Sequence, residues 1–305
     1  MLSIADMPIP VRNLGLALRP ERDLDHVLQK IRAWAAAHGV ALAGLQGDGR
    51  LPDEVARRPE ESLAEGCDVV IPRHQGCCGA LSLHSGRATE AAGFARRTMT
   101  AFEDAGVDVV VVNSAGCGSA MKEYTHLFGR GDEAPRAEQF TSKVRDLSEF
   151  LAELAADGGP RAVRHPLPVT AVYHEACHLG HAQGIRRQPR DLLREIPGLE
   201  LVEPSDPGTC CGSAGVYNLL QPEAAGELGA RKAASVLATG APLVISANPG
   251  CSLQISAAMA AAGTGTPPAM AHIAEVLDAS LRGAPVTELT GRAIPGPSAG
   301  LPGSR

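Results

Sequence analysis

Aromatic residues are scarce, 3% of 305, with a single Trp. A core with so few rings has to be assembled from Ala, Val, Leu and Ile, the mixture expected of parallel sheets covered by Ala-rich helices. An excess of basic charge is also lacking: 28 Lys plus Arg stand against 34 Asp plus Glu, a formal charge of -6. No basic stripe interleaved with aromatics is present, which excludes nucleic acid as an expected partner. No apolar run reaches membrane-spanning length, and the opening "MLSIADMPIPVRNLG" has no charged segment followed by an apolar stretch. A cytoplasmic location without a transmembrane segment is therefore expected, with peripheral association at a membrane surface left open. Gly-x-Ser-x-Gly, paired carboxylates and phosphate loops are missing too, which sets aside hydrolysis and nucleotide chemistry.

What is present is a 44% hydrophobic chain long enough for two domains. "CDVVIP" from Cys67, "VDVVVVN" from Val107, "VTAVYH" from Val169, "LELVEP" from Leu199 and "PLVISAN" from Pro242 read as buried strands. Ala-rich helical stretches such as "EAAGFARRTMTAFEDAG" and "PEAAGELGARKAASVLATG" lie between them, each stopped by Gly. This alternation predicts an α/β fold with open parallel sheets.

The eight cysteines cluster, and in a reducing compartment clustered thiols point to metal or redox chemistry rather than a disulfide framework. Two adjacent pairs end alike, in "QGCCGALSL" and "GTCCGSAGVYN". From Cys78 to Cys117 there are 38 intervening residues and from Cys211 to Cys251 there are 39. Each interval runs Cys-Cys-Gly, helix, Gly turn and apolar strand to a closing Cys, in "VVVNSAGC" and "VISANPGC", so the chain carries an internal duplication. The expected organisation is a βαβ-like segment over 1–64, with a strand in "VRNLGLAL" and a helical face of Leu24, Val27, Leu28, Ile31 and Trp34, a first module over 65–157, a second over 168–282 and a disordered tail over 283–305, with the copies divided in "DGGPRAVRHPLP" after a helix in "TSKVRDLSEFLAELAA".

Every cysteine except Cys67 follows the carboxyl end of an expected strand, and in an open parallel sheet those ends share one rim. Helices begin soon after most of them, so free N–H groups face the thiolates. Gly79, Gly212, Gly116 and Gly250 are expected to permit positive φ and close backbone approach to a bulky group. Adjacent side chains in extended backbone point apart, so a Cys-Cys pair suits a multi-iron core better than one small ion. The second copy supplies four thiols, Cys177, Cys210, Cys211 and Cys251, spaced C-x32-CC-x39-C, the number a [4Fe-4S] cluster needs.

"GCCGALSLHSG", "NSAGCGSAMKEY", "YHEACHLGHAQGI", "TCCGSAGVYNLLQPE" and "SANPGC", within residues 65–282, resemble the cysteine-rich CCG modules of the glycolate oxidase iron-sulfur subunit, a family related to the cysteine-rich subunit of heterodisulfide reductase. The resemblance implies two duplicated CCG modules. Cys177, Cys210, Cys211 and Cys251 would be the best cluster-ligand set, and Cys77, Cys78 and Cys117 a second, incomplete one. It further implies a non-catalytic electron-transfer subunit that relays electrons from a flavin-containing oxidoreductase subunit acting on glycolate or another 2-hydroxy acid. The chain departs from the family in three ways. A leading cysteine for the first module, expected near "VALAGLQG", is absent; the C-x2-C-x2-C-x3-C-P marker of a ferredoxin-like domain does not occur; and the second cysteine of a closing C-x-x-C is Ala120 in one copy and Gln254 in the other.

Two alternatives stay open: a thiol or heterodisulfide reductase-type enzyme using an iron left free by the missing ligand, and a zinc-stapled interaction module. His174, His178 and His181 around Cys177, and His74 before Cys77, supply the zinc rival with imidazoles, though short C-x2-4-C knuckles are absent. Cys67 is expected in the core and Lys122 on a solvated helix face. Residues 1–64 also resemble weakly the start of bacterial NAD kinase, but where that family carries Gly-Gly-Asp-Gly this chain has "RHQGCCG", so Gly47-Asp48-Gly49 reads as a turn.

Overall fold

A computed structural model describes residues 13–16 (as backbone), 67–72, 75–156, 162–263 and 265–291. The expected α/β architecture is present as two four-stranded, fully parallel sheets. In the first, β1 (Asn13–Leu16), β2 (Asp68–Val70), β3 (Val109–Val112) and β4 (Val144–Asp146) are ordered β2-β1-β3-β4. In the second, β5 (Val169–His174), β6 (Leu199–Val202), β7 (Leu243–Ser246) and β8 (Ala269–His272) repeat that order as β6-β5-β7-β8. In each sheet the chain steps outward from the first strand, then crosses back over it, which leaves a crevice at the carboxyl ends where winding reverses.

The strands form where apolar residues run without alternation. All four residues of β3 and all four of β7 are buried, as strands covered by helices on both faces require. A fully buried Val or Leu side chain contributes about 1.5–3 kcal/mol, so these short runs anchor the sheets. The covering helices follow from spacing: Ala91, Ala95, Met99 and Phe102 line the buried face of Ala88–Asp104, and Ala225, Gly229, Ala233 and Val236 that of Pro222–Leu237. Gly106 (φ 63°) and Gly240 (φ 68°) take the left-handed conformation where each chain turns back toward its next strand.

Two elements differ from the sequence expectation. "TSKVRDLSEFLAELAA" does not form one helix: Ala134–Lys143 ends first, β4 pairs with β3, and Leu147–Ala156 begins anew. The break is fixed by local hydrogen bonds, Ser148 N–H to Asp146 Oδ1 at 2.8 Å and Asp146 N–H to Glu149 Oε2 at 3.1 Å. β8 was not expected either, and a capping box of His272 and Glu275 starts the helix Ile273–Arg282 directly after it.

The strand expected in "VRNLGLAL" is β1, central in the first sheet; the rest of the 1–64 reading, including the helical face from Leu24 and the Gly47-Asp48-Gly49 turn, lies outside the described residues. At the other end, the tail expected to be disordered from residue 283 is helical at Thr287–Thr290, with Val286 and Leu289 packed on the second core. Cys67 is buried against Val109, Val111 and Phe150, as a core residue. No helix among the described residues is long and apolar enough to cross a membrane.

The halves touch through the loops that carry cysteine. The first N–H groups of a helix have no partner inside it. For the helix Ala115–Lys122 they are met by the opposite half: Ala115 N–H donates to Ala247 O at 3.0 Å and Gly116 N–H to Asn248 Oδ1 at 3.2 Å. Gln183 Nε2 donates to Ala115 O at 3.0 Å, and Ala115 itself is buried in the core of the second half.

Candidate metal centre

Each Cys-Cys-Gly turn is built by its glycine. Gly79 (φ 77°) and Gly212 (φ 89°) are left-handed, and a Cβ would lie 2.8 Å from Phe94 Cβ at the first and 2.4 Å from Ala225 O at the second. Only glycine fits both demands. The turn also aims an N–H at the preceding sulfur: Gly79 N to Cys77 Sγ at 3.4 Å and Gly212 N to Cys210 Sγ at 3.3 Å. Gly116 and Gly250 do not have positive φ; Gly250 serves close approach, with Ser213 Oγ 2.8 Å from a Cβ there, while at Gly116 a Cβ would meet only Asn248 Oδ1, at an ordinary 3.4 Å.

In the second half, the four thiols converge. Cys177 contacts Cys210, Cys210 contacts Cys211, and Cys211 contacts Cys251. Hydrogen bonds from Cys177 and Cys211, helped by Gly212 N–H, pull the Cys210 thiol down to about 2. Cys251 is likewise held well below a normal thiol, by Cys211 first and then by His174 and Asn248, whose Nδ2 donates to Cys251 Sγ at 3.2 Å. Cys177 and Cys211 are pushed up, Cys177 by its bond to Cys210 and Cys211 by its bonds to Cys210 and Cys251, with burial adding to both. Cys251 also stands in the first turn of Pro249–Ala261, where the positive helix end favours a thiolate.

Cys77, Cys78 and Cys117 meet in the first half, where contacts with Cys117 and Cys77, and burial, raise the Cys78 thiol. Tyr124 OH donates to Cys78 O at 2.8 Å and Thr98 Oγ1 to Cys77 O at 3.3 Å, fixing that loop from beneath. No disulfide joins any of the eight cysteines. "VALAGLQG", where a leading cysteine for the first module was expected, lies outside the described residues, and the sheet register gives a second way to count to that position. Leu14 pairs with Val109 as Ala171 pairs with Leu243, and Val109 and Leu243 each stand eight residues before Cys117 and Cys251. Six residues past Ala171 is Cys177; six past Leu14, by count along the sequence, is Pro20.

Spacing alone did not single out His174 from its neighbours. It ends β5, opposite Ser246 of β7 and so in the winding crevice, and it is 1% exposed. Its two ring nitrogens are buried without a hydrogen-bond partner, while ligand atoms of His174, Cys211 and Cys251 all lie within 4.8 Å of one another. An imidazole of this kind, beside a set of thiols, is a donor set for a soft or borderline metal centre.

The other candidates have different work. His178 Nδ1 is 3.6 Å from Cys177 Sγ and its ring lies 5.1 Å from that of His84, bridging the halves. His181 faces Arg186, and His74 lies outside the described residues. Buried Glu175 is held by Arg186 and Arg190. Lys122 is not on a solvated face: it pairs with buried Glu149. Gln254, at the position of a second closing cysteine, is tied to Asn218 and to Ala225 O. Lys232, unremarkable in a helical run, is buried and donates to Asp206 O at 2.8 Å and Pro207 O at 3.2 Å in the loop before Cys210. Burial lowers its pKa, while Asp206 and then Cys211, Cys210 and Cys251 pull the other way.

Duplicated parallel sheets with Cys-Cys-Gly turns at their carboxyl rims define a class of thiol-rich α/β module. The family described as CCG, a cysteine-rich domain, matches residues 60–122 and 171–256, and the chain belongs to it. It is 39% identical over 213 residues to the "Probable glycolate oxidase iron-sulfur subunit" of Bacillus subtilis, across 70% of this chain and 48% of that protein, so it spans about half of that relative's length. Lactate utilization protein A of an Exiguobacterium species is 31% identical over 71% of this chain and 87% of its own. A fumarate reductase (CoM/CoB) subunit of Methanothermobacter marburgensis is 32% identical over 78% of this chain and 45% of that one.

Proposed function

We propose that the chain is an iron-sulfur electron-transfer subunit of a cytoplasmic oxidoreductase acting on glycolate or another 2-hydroxy acid, with a flavin-containing subunit as its partner. Cys177, Cys210, Cys211 and Cys251 would hold a [4Fe-4S] cluster, and Cys77, Cys78 and Cys117 form a second candidate set one thiol short. The observation that carries this reading is the unbroken run of contacts through the four sulfurs, closed by an imidazole with nothing else to bind. The names borne by the Bacillus and Exiguobacterium relatives support the 2-hydroxy acid.

When bound, the cluster supplies reversible one-electron chemistry. The chain's own groups fit that negative centre. Gly212 N–H and Asn248 Nδ2 donate to sulfur, the helix Pro249–Ala261 presents its positive end, and the Lys232 ammonium lies beneath the loop. Each stabilises added electron density at the thiolates and so tunes the potential. Cys211 and Cys251 are buried, which keeps water from one side, while Cys177 and Cys210 are partly exposed and give the side through which a docked partner would exchange electrons.

Anaerobic purification followed by iron and sulfide assays and EPR tests the reading. About four irons and four sulfides per cluster are expected, with loss of the second-half signal in Cys210→Ser; full intensity in that variant would rule out the ligand set. A zinc-stapled module is the second reading, favoured by the 4.8 Å grouping of His174, Cys211 and Cys251. Zinc without acid-labile sulfide selects it.

A further inference from the structure

We infer that His174 is itself a ligand, a fifth donor beyond the four thiols that a [4Fe-4S] cluster needs, so that the second-half centre is bound by mixed nitrogen and sulfur donors rather than by thiolates alone. The inference rests on the metal-centre reading above and adds to it a residue that the cysteine pattern does not contain.

Three observations converge on this side chain. A buried polar atom is nearly always hydrogen-bonded, because desolvating it otherwise costs free energy that folding cannot spare. Neither ring nitrogen of His174 makes a hydrogen bond of normal geometry, although an imidazole needs one acceptor and one donor partner; the group that interacts with it most directly is the Cys251 thiol. Secondly, the ring is among sulfurs: one of its nitrogens and the Sγ atoms of Cys211 and Cys251 lie within 4.8 Å of one another. Thirdly, the backbone leaves it little freedom, since His174 is the last residue of β5 and is held in register with Ser246 of β7, five residues before Cys251. Strand β5 thus places an imidazole on the same rim to which the helix Pro249–Ala261 brings a thiolate.

The groups that act on the ring are themselves thiols, Cys251 most directly and then Cys210. The first half offers a built-in control. By the register that equates Leu14 with Ala171, the residue three past Leu14, corresponding to His174, is Ala17. At the positions matched by count along the sequence, the first half has neither the cysteine nor the histidine, as expected if the two residues serve one centre.

Nitrogen ligation alters the electronics: a neutral imidazole adds no negative charge to the centre, so its potential lies above that of an all-thiolate set. The test uses the intact chain, purified anaerobically after labelling with 15N-histidine. In a paramagnetic state, electron-nuclear double resonance should show a strongly coupled histidine nitrogen that follows the isotope and disappears in His174→Ala and His174→Cys. The His174→Cys variant should also titrate at a more negative midpoint potential, with iron retained. Iron and sulfide present with no directly bound histidine nitrogen in the wild type would overturn the inference while leaving the cluster reading intact. Zinc without sulfide would overturn the cluster reading. X-ray absorption at the zinc edge would then decide on His174 alone: a nitrogen bound to zinc, lost in His174→Ala, upholds its ligation, and all-sulfur coordination overturns it.

Discussion

The two halves share a sheet order, a Cys-Cys-Gly turn with left-handed glycine and a closing cysteine in the first turn of a helix, yet among the described residues they surround those cysteines with different groups. Beneath its turn the first half uses neutral hydroxyls, Thr98 and Tyr124, against the carbonyls of Cys77 and Cys78. The second uses the Lys232 ammonium. It also has Cys177 and His174, where the matching positions by count are Pro20 and Ala17. The difference teaches that scaffold and ligand set are separable. A sheet rim and a glycine turn are needed to bring thiols together, but charge balance and the number of donors decide what they hold.

Substitutions made in matched pairs can break this contrast. The largest effect is expected for Cys211→Ser, which should remove most bound metal, whereas Cys78→Ser should leave most of it; elemental analysis of the two variants reads the difference directly. Equal losses would show the halves to be equivalent. Next comes the turn itself. Gly212→Ala puts a Cβ 2.4 Å from Ala225 O at φ 89°, and chemical denaturation should show a loss of about 3 kcal/mol or more. Gly79→Ala meets Phe94 Cβ at 2.8 Å and should cost about 2 kcal/mol.

Lys232→Met strips two loop carbonyls of their donor, an expected loss of about 1–3 kcal/mol, and should make the centre harder to reduce in a potentiometric titration. Thr98→Val, the neutral counterpart, should leave the potential unchanged. The smallest contrast is at the helix caps. Asn248→Ala loses donation to Cys251 Sγ and acceptance from Gly116 N–H, costing about 1–2 kcal/mol. Asn248 and the matching Ser114 alike make no side-chain capping bond to their own helices, so Ser114→Ala, without Asn248's two contacts to lose, should fall within about 0.5 kcal/mol of wild type by the same denaturation assay.

Much of this was legible from local pattern. Uninterrupted apolar runs such as "VVVV" and "LVIS" can bury both faces only in covered parallel strands, and repeated Cys-Cys-Gly endings exposed the duplication. What stayed hidden depended on partners distant in sequence. β4 reads as helix because its residues sit in a helical run; pairing with β3 and the local Asp146, Ser148 and Glu149 bonds override that propensity. His174 looked no different from His178 or His181, since only the β5–β7 register distinguishes a ring among sulfurs from one against Arg186 or His84. Nothing in the sequence marks Lys232, because its acceptors belong to a loop 25 and 26 residues away.

Diffraction from anaerobically grown crystals, recorded on both sides of the iron absorption edge, addresses the account most directly. Anomalous density enclosed by Cys177, Cys210, Cys211 and Cys251 and abutting the His174 ring is the predicted result. Iron confined to Cys77, Cys78 and Cys117, or no iron signal in the second half, would contradict it.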